Sequence, residues 1–461
     1  MVTVTRSKAA TRKVSVQNKR ITTYESALRY LFTQTDYEQM LRVRYNSDTF
    51  NLDRMRALLK DLGNPHDKIR TVHIAGTKGK GSTATMLAEM LRACKHKVGL
   101  YTSPHICDLR ERIRVNGEMI PRAQLTRLIA KAQPKIARMD EKPTFFEIIT
   151  ALAFYYFAEQ KVDIAVIEAG LGGRLDSTNV VKPAVCGLTS ISIDHVHQLG
   201  DTLSKIAAEK AGIFKPDVPV VSVQQEGEAK RVLRKVAKEV NSRLMFTGED
   251  IDFSYRVESS RQAGCHARIC LTTPQSRFEH LPVPLLGEHQ AINCGLALAL
   301  LDQLKLQGMR IDDEQAKAGL AAVKLPGRME LISEDPRILV DGAHNAASMQ
   351  ALMRAIGQHI PYDSMVMVFG CAADKDIAGM MDRIGTGADK VIFTKAKSSP
   401  RAARPEDLAM AFGERCGREA QVTDGLAEAL QIAKGAASKE DIICVCGSFY
   451  LVGEAKTMLQ A

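Results

Sequence analysis

The sequence predicts an α/β fold in two units, each built on a mostly parallel sheet. Three observations carry that prediction. Short apolar runs alternate with helix-period stretches along the chain of 461 residues. One such run passes through a glycine-rich turn, "HIAGTKGKGSTATML" (73–87), directly into a helix-forming segment. A second strand–helix series starts after "KLPGRME" (324–330), more regular structure than one core of ordinary size holds.

Taken in order, residues 1–20 carry six Lys/Arg and no acid, and read as a basic flexible tail. "TVHIA" (71–75), "DIAVIEAG" (163–170), "AVCGLTSI" (184–191) and "VPVVSV" (218–223) are near-continuously apolar, as expected of parallel strands covered on both faces. "STATMLAEMLRAC" puts Met86, Leu87, Met90, Leu91 and Cys94 on one helical stripe, with Ser82 placed to cap its start. Residues 244–273 are polar and turn-rich, and read as a small antiparallel addition. The second series has "ILVDGAHN" (338–345), "MVMVFG" (365–370), "KVIFT" (390–394) and "IICVCGS" (442–448) as strands. The Pro326-Gly327 turn signal marks the boundary, giving units of 21–324 and 325–461.

With 45% hydrophobic and 25% charged residues the chain has the make-up of a soluble globular protein. No apolar run is long enough for a membrane span; "IITALAFYYFA" is too short. A net charge of +10 favours anionic ligands without choosing among nucleotides, polycarboxylates and nucleic acid. Ten cysteines show no CxxC pair and no Cys/His zinc spacing, and there is no secretory segment, so a reducing cytoplasm is expected. Cys444 and Cys446 fall on one strand face, which suits core packing.

Backbone N–H groups of a glycine-rich turn opening into a helix cradle an anion with no side-chain bulk in the way. Gly76, Thr77, Gly79 and Gly81 form that turn, with Lys80 placed to reach the β- and γ-phosphates and Ser82 to meet phosphate or metal. The loop departs from the common pattern, because Gly81 stands between Lys80 and the hydroxyl of Ser82. Glu168 follows the apolar "DIAVI" and emerges at a strand's carboxyl end, where such sheets bind ligands. In "TLSKIAAEKAGIF", Leu203, Ile206, Ala207, Lys210 and Phe214 share one helical face, so Lys210 sits on the apolar side, where burial lowers its pKa. The other reading is a lysine snorkelling to the surface. His195 taken alone reads first as a hydrogen-bonded structural histidine, and its place in "IDH" turns the reading toward a ligand.

"AGTKGKGS", "TSPHICDLRERIRVNG", "TFFEIITALAF", "EAGLGGRLDSTN", "SIDHVHQLGDT", "IAAEKAGIFK", "GEHQAINCGLAL", "PGRME", "DGAHNAAS" and "CGSFYLVGEAK" together resemble the successive signatures of folylpolyglutamate synthases and bacterial dihydrofolate synthases, of the Mur ligase superfamily. The resemblance runs from about residue 50 to residue 454. It implies an N-terminal P-loop ATPase-like domain of the Mur central type and a smaller C-terminal Rossmann-like domain. The implied reaction is ATP-dependent addition of L-glutamate to a reduced folate, and also to dihydropteroate, which gives dihydrofolate, through an acyl phosphate. The shortened loop belongs to that superfamily.

Residue by residue, the resemblance implies one Mg²⁺ held by Ser103 and Glu168 and a second near His195, with a carbamylated lysine at Lys210. It assigns ATP contacts to Asn293, Arg328 and Asp341, and a role in placing glutamate or the acyl phosphate to His344. Thr144, Phe145, Phe146 and Glu147, with Leu175, Asp176 and Ser177, fall in the segments that contact dihydropteroate; Phe145 and Phe146 are also readable as core aromatics. The implied partners are ATP, glutamate and the pterin substrate, with no nucleic acid or membrane, and a monomer is implied.

The chain departs from the family at Lys78, where asparagine is common, at Ser177, where alanine is common, and in lacking a tryptophan before Pro326. Other readings are a dihydrofolate synthase alone, a Mur-type ligase acting on another carboxylate, and a nucleotide-gated basic binding protein. A peptidoglycan-type ligase fits poorly, because a loop beginning at Gly76 leaves too little chain for a uridine-nucleotide domain before it.

Overall fold

The structure, a computed structural model, describes residues 20–40, 49–260, 264–283 and 285–460. The expected tail at 1–20 therefore lies outside it, apart from Arg20.

Among the described residues eleven strands build the first unit: β1 Thr71–Ala75, β2 Val98–Tyr101, β3 Ile113–Val115, β4 Glu118–Met119, β5 Ile164–Glu168, β6 Val185–Leu188, β7 Val220–Ser222, β8 Leu244–Phe246, β9 Asp252–Ser260, β10 Gly264–Thr272 and β11 Arg277–Val283. The first eight form one sheet in the order β4-β3-β2-β5-β1-β6-β7-β8. Its strands run parallel except β3 and β4, which continue the β2 edge as antiparallel ribbons. Burial explains the continuous apolar runs, since every residue of β1, β2, β5, β6 and β7 is buried. Helices Lys80–Ala93 and Glu288–Leu306 pack on one face, and Phe145–Glu159 packs on the other.

Two expectations need correction. β8 joins the parallel sheet beside β7, so the antiparallel addition begins at Asp252 and runs to Val283 as the separate order β11-β10-β9. Ser82 does not cap its helix: the helix starts at Lys80 with Gly79 as N-cap, and Ser82 lies in the first turn. Tertiary context overrode the propensity, because the chain must enter the helix through a left-handed residue directly after the phosphate turn.

The second unit has β12 Glu330–Glu334, β13 Arg337–Asp341, β14 Met365–Phe369, β15 Lys390–Phe393, β16 Gln421–Val422 and β17 Ile442–Cys446, in the order β12-β13-β17-β14-β15-β16. Only β12 is antiparallel. Cys444 and Cys446 pack in one core with Met367 and Phe369, as alternation along β17 requires. The α/β class in two units, mostly parallel in both, is thus observed. Among the described residues no helix is long and apolar enough to cross a membrane.

Candidate active site

The central position of β1 sets the site. Its partners β5 and β6 run parallel to it, so the carboxyl ends of all three open onto one edge. The phosphate turn leaves β1 there, Glu168 ends β5, and the segment after β6 carries Asp194 and His195. The second unit covers that edge. A cavity of about 310 Å³ lies between, lined by the turn 76–81, Ser103, Glu168, His195, Lys210, Arg328 and His344.

The turn is shaped by what surrounds it. Gly76 has φ +148°, and a Cβ there would come 1.8 Å from Thr189 Oγ1. Gly79 has φ +86°, and a Cβ would come 2.2 Å from Asn293 Oδ1. Neither position admits a side chain. Thr77 ties the turn to the end of β6, its N–H donating to Ser190 O at 2.8 Å. Lys80 folds back on the turn, with Nζ 3.2 Å from Gly76 O.

Lys210 comes to the same carbonyl. It lies on helix Leu203–Ala211, is 3% exposed, and donates to Gly76 O at 2.8 Å. The apolar-face reading holds and the snorkelling one does not. Burial, then the charge of Lys80, pushes its amine down to about 7. Glu168 is buried beside Gly81 and accepts the Ser103 N–H on Oε2 at 3.0 Å. Burial raises its carboxyl, against the pull of Lys80.

His195 sits in left-handed conformation at φ +51°. Burial, then Lys375, lowers its ring to about 3, so it is neutral with a free lone pair. His344 Nδ1 donates to Gly342 O at 2.7 Å, so its Nε2 accepts from Lys78 Nζ at 2.9 Å. Burial and Lys78 hold this ring neutral too.

Of the residues implied for substrate, Thr144, Phe146, Glu147, Leu175, Asp176 and Ser177 line the cavity. Phe145 does not: it is 2% exposed and stacks on Phe32, with centroids 6.0 Å apart. The reason is helical phase, since successive residues of Phe145–Glu159 point about 100° apart. Thr144 and Glu147 also form a capping box, and Arg54 binds Glu147 at 3.1 Å. Asn293, Asp341 and Ser82 are buried behind the lining, Asn293 against Gly79. Both oxygens of Asp341 take backbone N–H groups, from Met329 at 2.9 Å and Ala343 at 2.8 Å. Arg328 lines the cavity with its guanidinium 4.5 Å from the Phe449 ring centre.

Sequence reasoning missed a buried knot. Asp194 takes Lys78 Nζ at 2.8 Å and Lys375 Nζ at 3.0 Å, and Asn345 Nδ2 at 3.2 Å. Burial alone would raise its carboxyl, but the charges of Lys78 and Lys375 hold it well below the usual range. Lys375, in "AADKD" just after β14, carried the same strand-end signal as Glu168. Tyr37, Phe50 and Arg401 also line the cavity and had no readable pattern.

Among the described residues no three His, Cys, Asp or Glu side chains gather as a metal cluster. The hard oxygens of Ser103 and Glu168 instead suit a Mg²⁺ completed by phosphate and water. An ion at His195 meets three lysines, and fits only if one of them becomes an anion.

Residues 74–301 match the Mur ligase middle domain and residues 327–449 the Mur ligase glutamate ligase domain. A dihydrofolate synthase/folylpolyglutamate synthase of Bacillus subtilis is 35% identical over 89% of this chain and 95% of its own length. A probable bifunctional folylpolyglutamate synthase/dihydropteroate synthase of Haloferax volcanii is 38% identical over 88% of this chain, which spans 48% of that protein's length. Among solved structures, Mycobacterium tuberculosis folylpolyglutamate synthase complexed with ADP superposes with a TM-score of 0.84 at 32% identity, covering 94% of this chain and 99% of that one. The chain therefore belongs to the Mur ligase superfamily, in its folylpolyglutamate synthase and dihydrofolate synthase branch.

Proposed function

We propose that this chain is an ATP-dependent amide ligase that adds L-glutamate to a reduced folate and also converts dihydropteroate to dihydrofolate. The carrying observation is the meeting of Lys80 and Lys210 on Gly76 O, in one cavity with the buried Glu168. Relatives support the chemistry: one solved structure is E. coli FolC in complex with DHPP and ADP, at 30% identity and a TM-score of 0.81 over 95% of this chain and 98% of that one.

Phosphoryl transfer to a carboxylate drives anion toward anion, so the reaction needs cations at the transfer point. The substrate carboxylate oxygen attacks the γ-phosphorus, the bridge to the β-phosphate breaks, and ADP leaves. Turn N–H groups and Lys80 hold the β- and γ-phosphates. The glutamate amine then attacks the acyl carbon; phosphate leaves the tetrahedral intermediate and the amine loses a proton. Ser103 and Glu168 would hold one Mg²⁺, and His195 a second together with a Lys210 carbamate. Those ions supply charge neutralisation at the phosphates. Neutral His344, held by Lys78, places the glutamate or the acyl phosphate.

Arg328 contacts ATP through its forked donors, and Asn293 and Asp341 back the nucleotide site from behind the lining. Thr144, Phe146, Glu147, Leu175, Asp176 and Ser177 take the pterin end. On this reading, residues 21–324 form the ATP-binding unit and 325–461 the unit that closes over it. The partners are small molecules, without nucleic acid or membrane, in a cytoplasmic monomer.

The test is ADP release by the purified chain with Mg-ATP and glutamate, comparing dihydropteroate, tetrahydrofolate and no pterin. Stimulation by both supports the bifunctional reading, and stimulation by dihydropteroate alone reduces it to a dihydrofolate synthase. No stimulation by either refutes the substrate assignment.

A further inference from the structure

His73 stands in the middle of β1, paired on both sides, with 0% exposure. Its neighbours Val72 and Ile74 are apolar, the default for a strand covered on both faces. Its Nε2 lies 2.8 Å from Thr178 Oγ1, and that hydroxyl bonds Asp176 Oδ1. Asp176 also takes Thr178 N–H at 3.0 Å and, on Oδ2, Leu171 N–H at 2.8 Å.

A carboxylate only accepts, so the Thr178 hydroxyl donates to Asp176 and accepts from the ring. The His73 proton is therefore on Nε2. That leaves Nδ1 as a bare lone pair, and Nδ1 has no hydrogen-bond partner among the described residues. Burial, then the Lys215 charge, lowers the ring to about 3, so it stays neutral. An apolar side chain would fill this place without stranding a polar atom, so folding alone gives no reason for an imidazole.

We propose that His73 is a positioning residue for substrate recognition: through the Thr178 hydroxyl it fixes Asp176, and with it the segment 170–177 that walls the cavity. The inference rests on the reading that this segment takes the pterin end. Asn179 Nδ2 ties the outer part of the same region separately, to Arg174 O and Gly212 O at 3.0 Å each. Losing His73 therefore loosens the cavity wall and leaves the outer anchor in place.

The experiment compares H73L, H73Q, T178V and the H73L/T178V double variant. It measures KM for tetrahydrofolate and dihydropteroate, and ADP affinity by calorimetry. H73L and T178V should each raise the pterin KM about tenfold while leaving ADP affinity within about twofold. The double variant should be no worse than either single one, because both cut the same relay. H73Q keeps a donor near Nε2 and should return KM to within about threefold of native. An unchanged pterin KM, a parallel loss of ADP affinity, or additive effects in the double variant overturns the proposal. If H73L does not fold, T178V against H73Q makes the same comparison. If native protein turns over neither pterin, the functional reading fails by itself. The relay is then tested by hydrogen exchange at the Leu171 amide, which T178V must accelerate; unchanged exchange overturns it.

Discussion

Lys210 offers the sharpest test of how the fold prepares chemistry. A free lysine amine has a pKa near 10.5 and is neutral in only about 0.03% of molecules at pH 7. Burial against Ile206 and Ala207, with the charge of Lys80, brings it to about 7, so about half is neutral at that pH. That is a gain of about a thousandfold in the form that takes up CO₂. The expected carbamate signal, read by carbon NMR with labelled bicarbonate, grows from pH 6 to pH 8 and is absent in Lys210→Ala. ADP release should rise across the same interval and respond to added bicarbonate. Stability follows the same proton: between about 7 and 10.5 the unfolded chain holds more protons than the folded one, so Lys210 contributes stability that increases with pH in that window. A native protein with no carbamate signal at pH 8, or a signal that persists in Lys210→Ala, would refute the reasoning.

Three further outcomes follow from the geometry. Phe145→Ala should cost about 3–5 kcal/mol in denaturant unfolding, whereas Phe146→Ala should cost less and instead raise the pterin KM. Gly79→Ala should abolish ADP binding by calorimetry, because its Cβ would overlap Asn293 and its φ is left-handed. Lys78→Asn should lower unfolding free energy by about 1–2 kcal/mol and raise the glutamate KM, a modest cost because Lys375 and Asn345 remain on Asp194.

The sequence by itself determined the local elements and the chemistry that travels with them. Near-continuous apolar runs located β1 to the residue and β14 to within one, because a strand buried on both faces is apolar almost throughout. Helical period put Lys210 on a buried face before any partner was known. Strand-end position singled out Glu168. Tertiary structure decided the rest. Phe145 and Phe146 are adjacent in sequence, and only the packing of their helix sends one into the core and the other into the cavity. The strand order β2-β5-β1-β6 brings Glu168 to a turn some ninety residues earlier, and no local pattern encodes that order. Lys78, Asp194, Lys375 and His344 meet only where the second unit covers the first, since a buried ion cluster is specified by its partners in space.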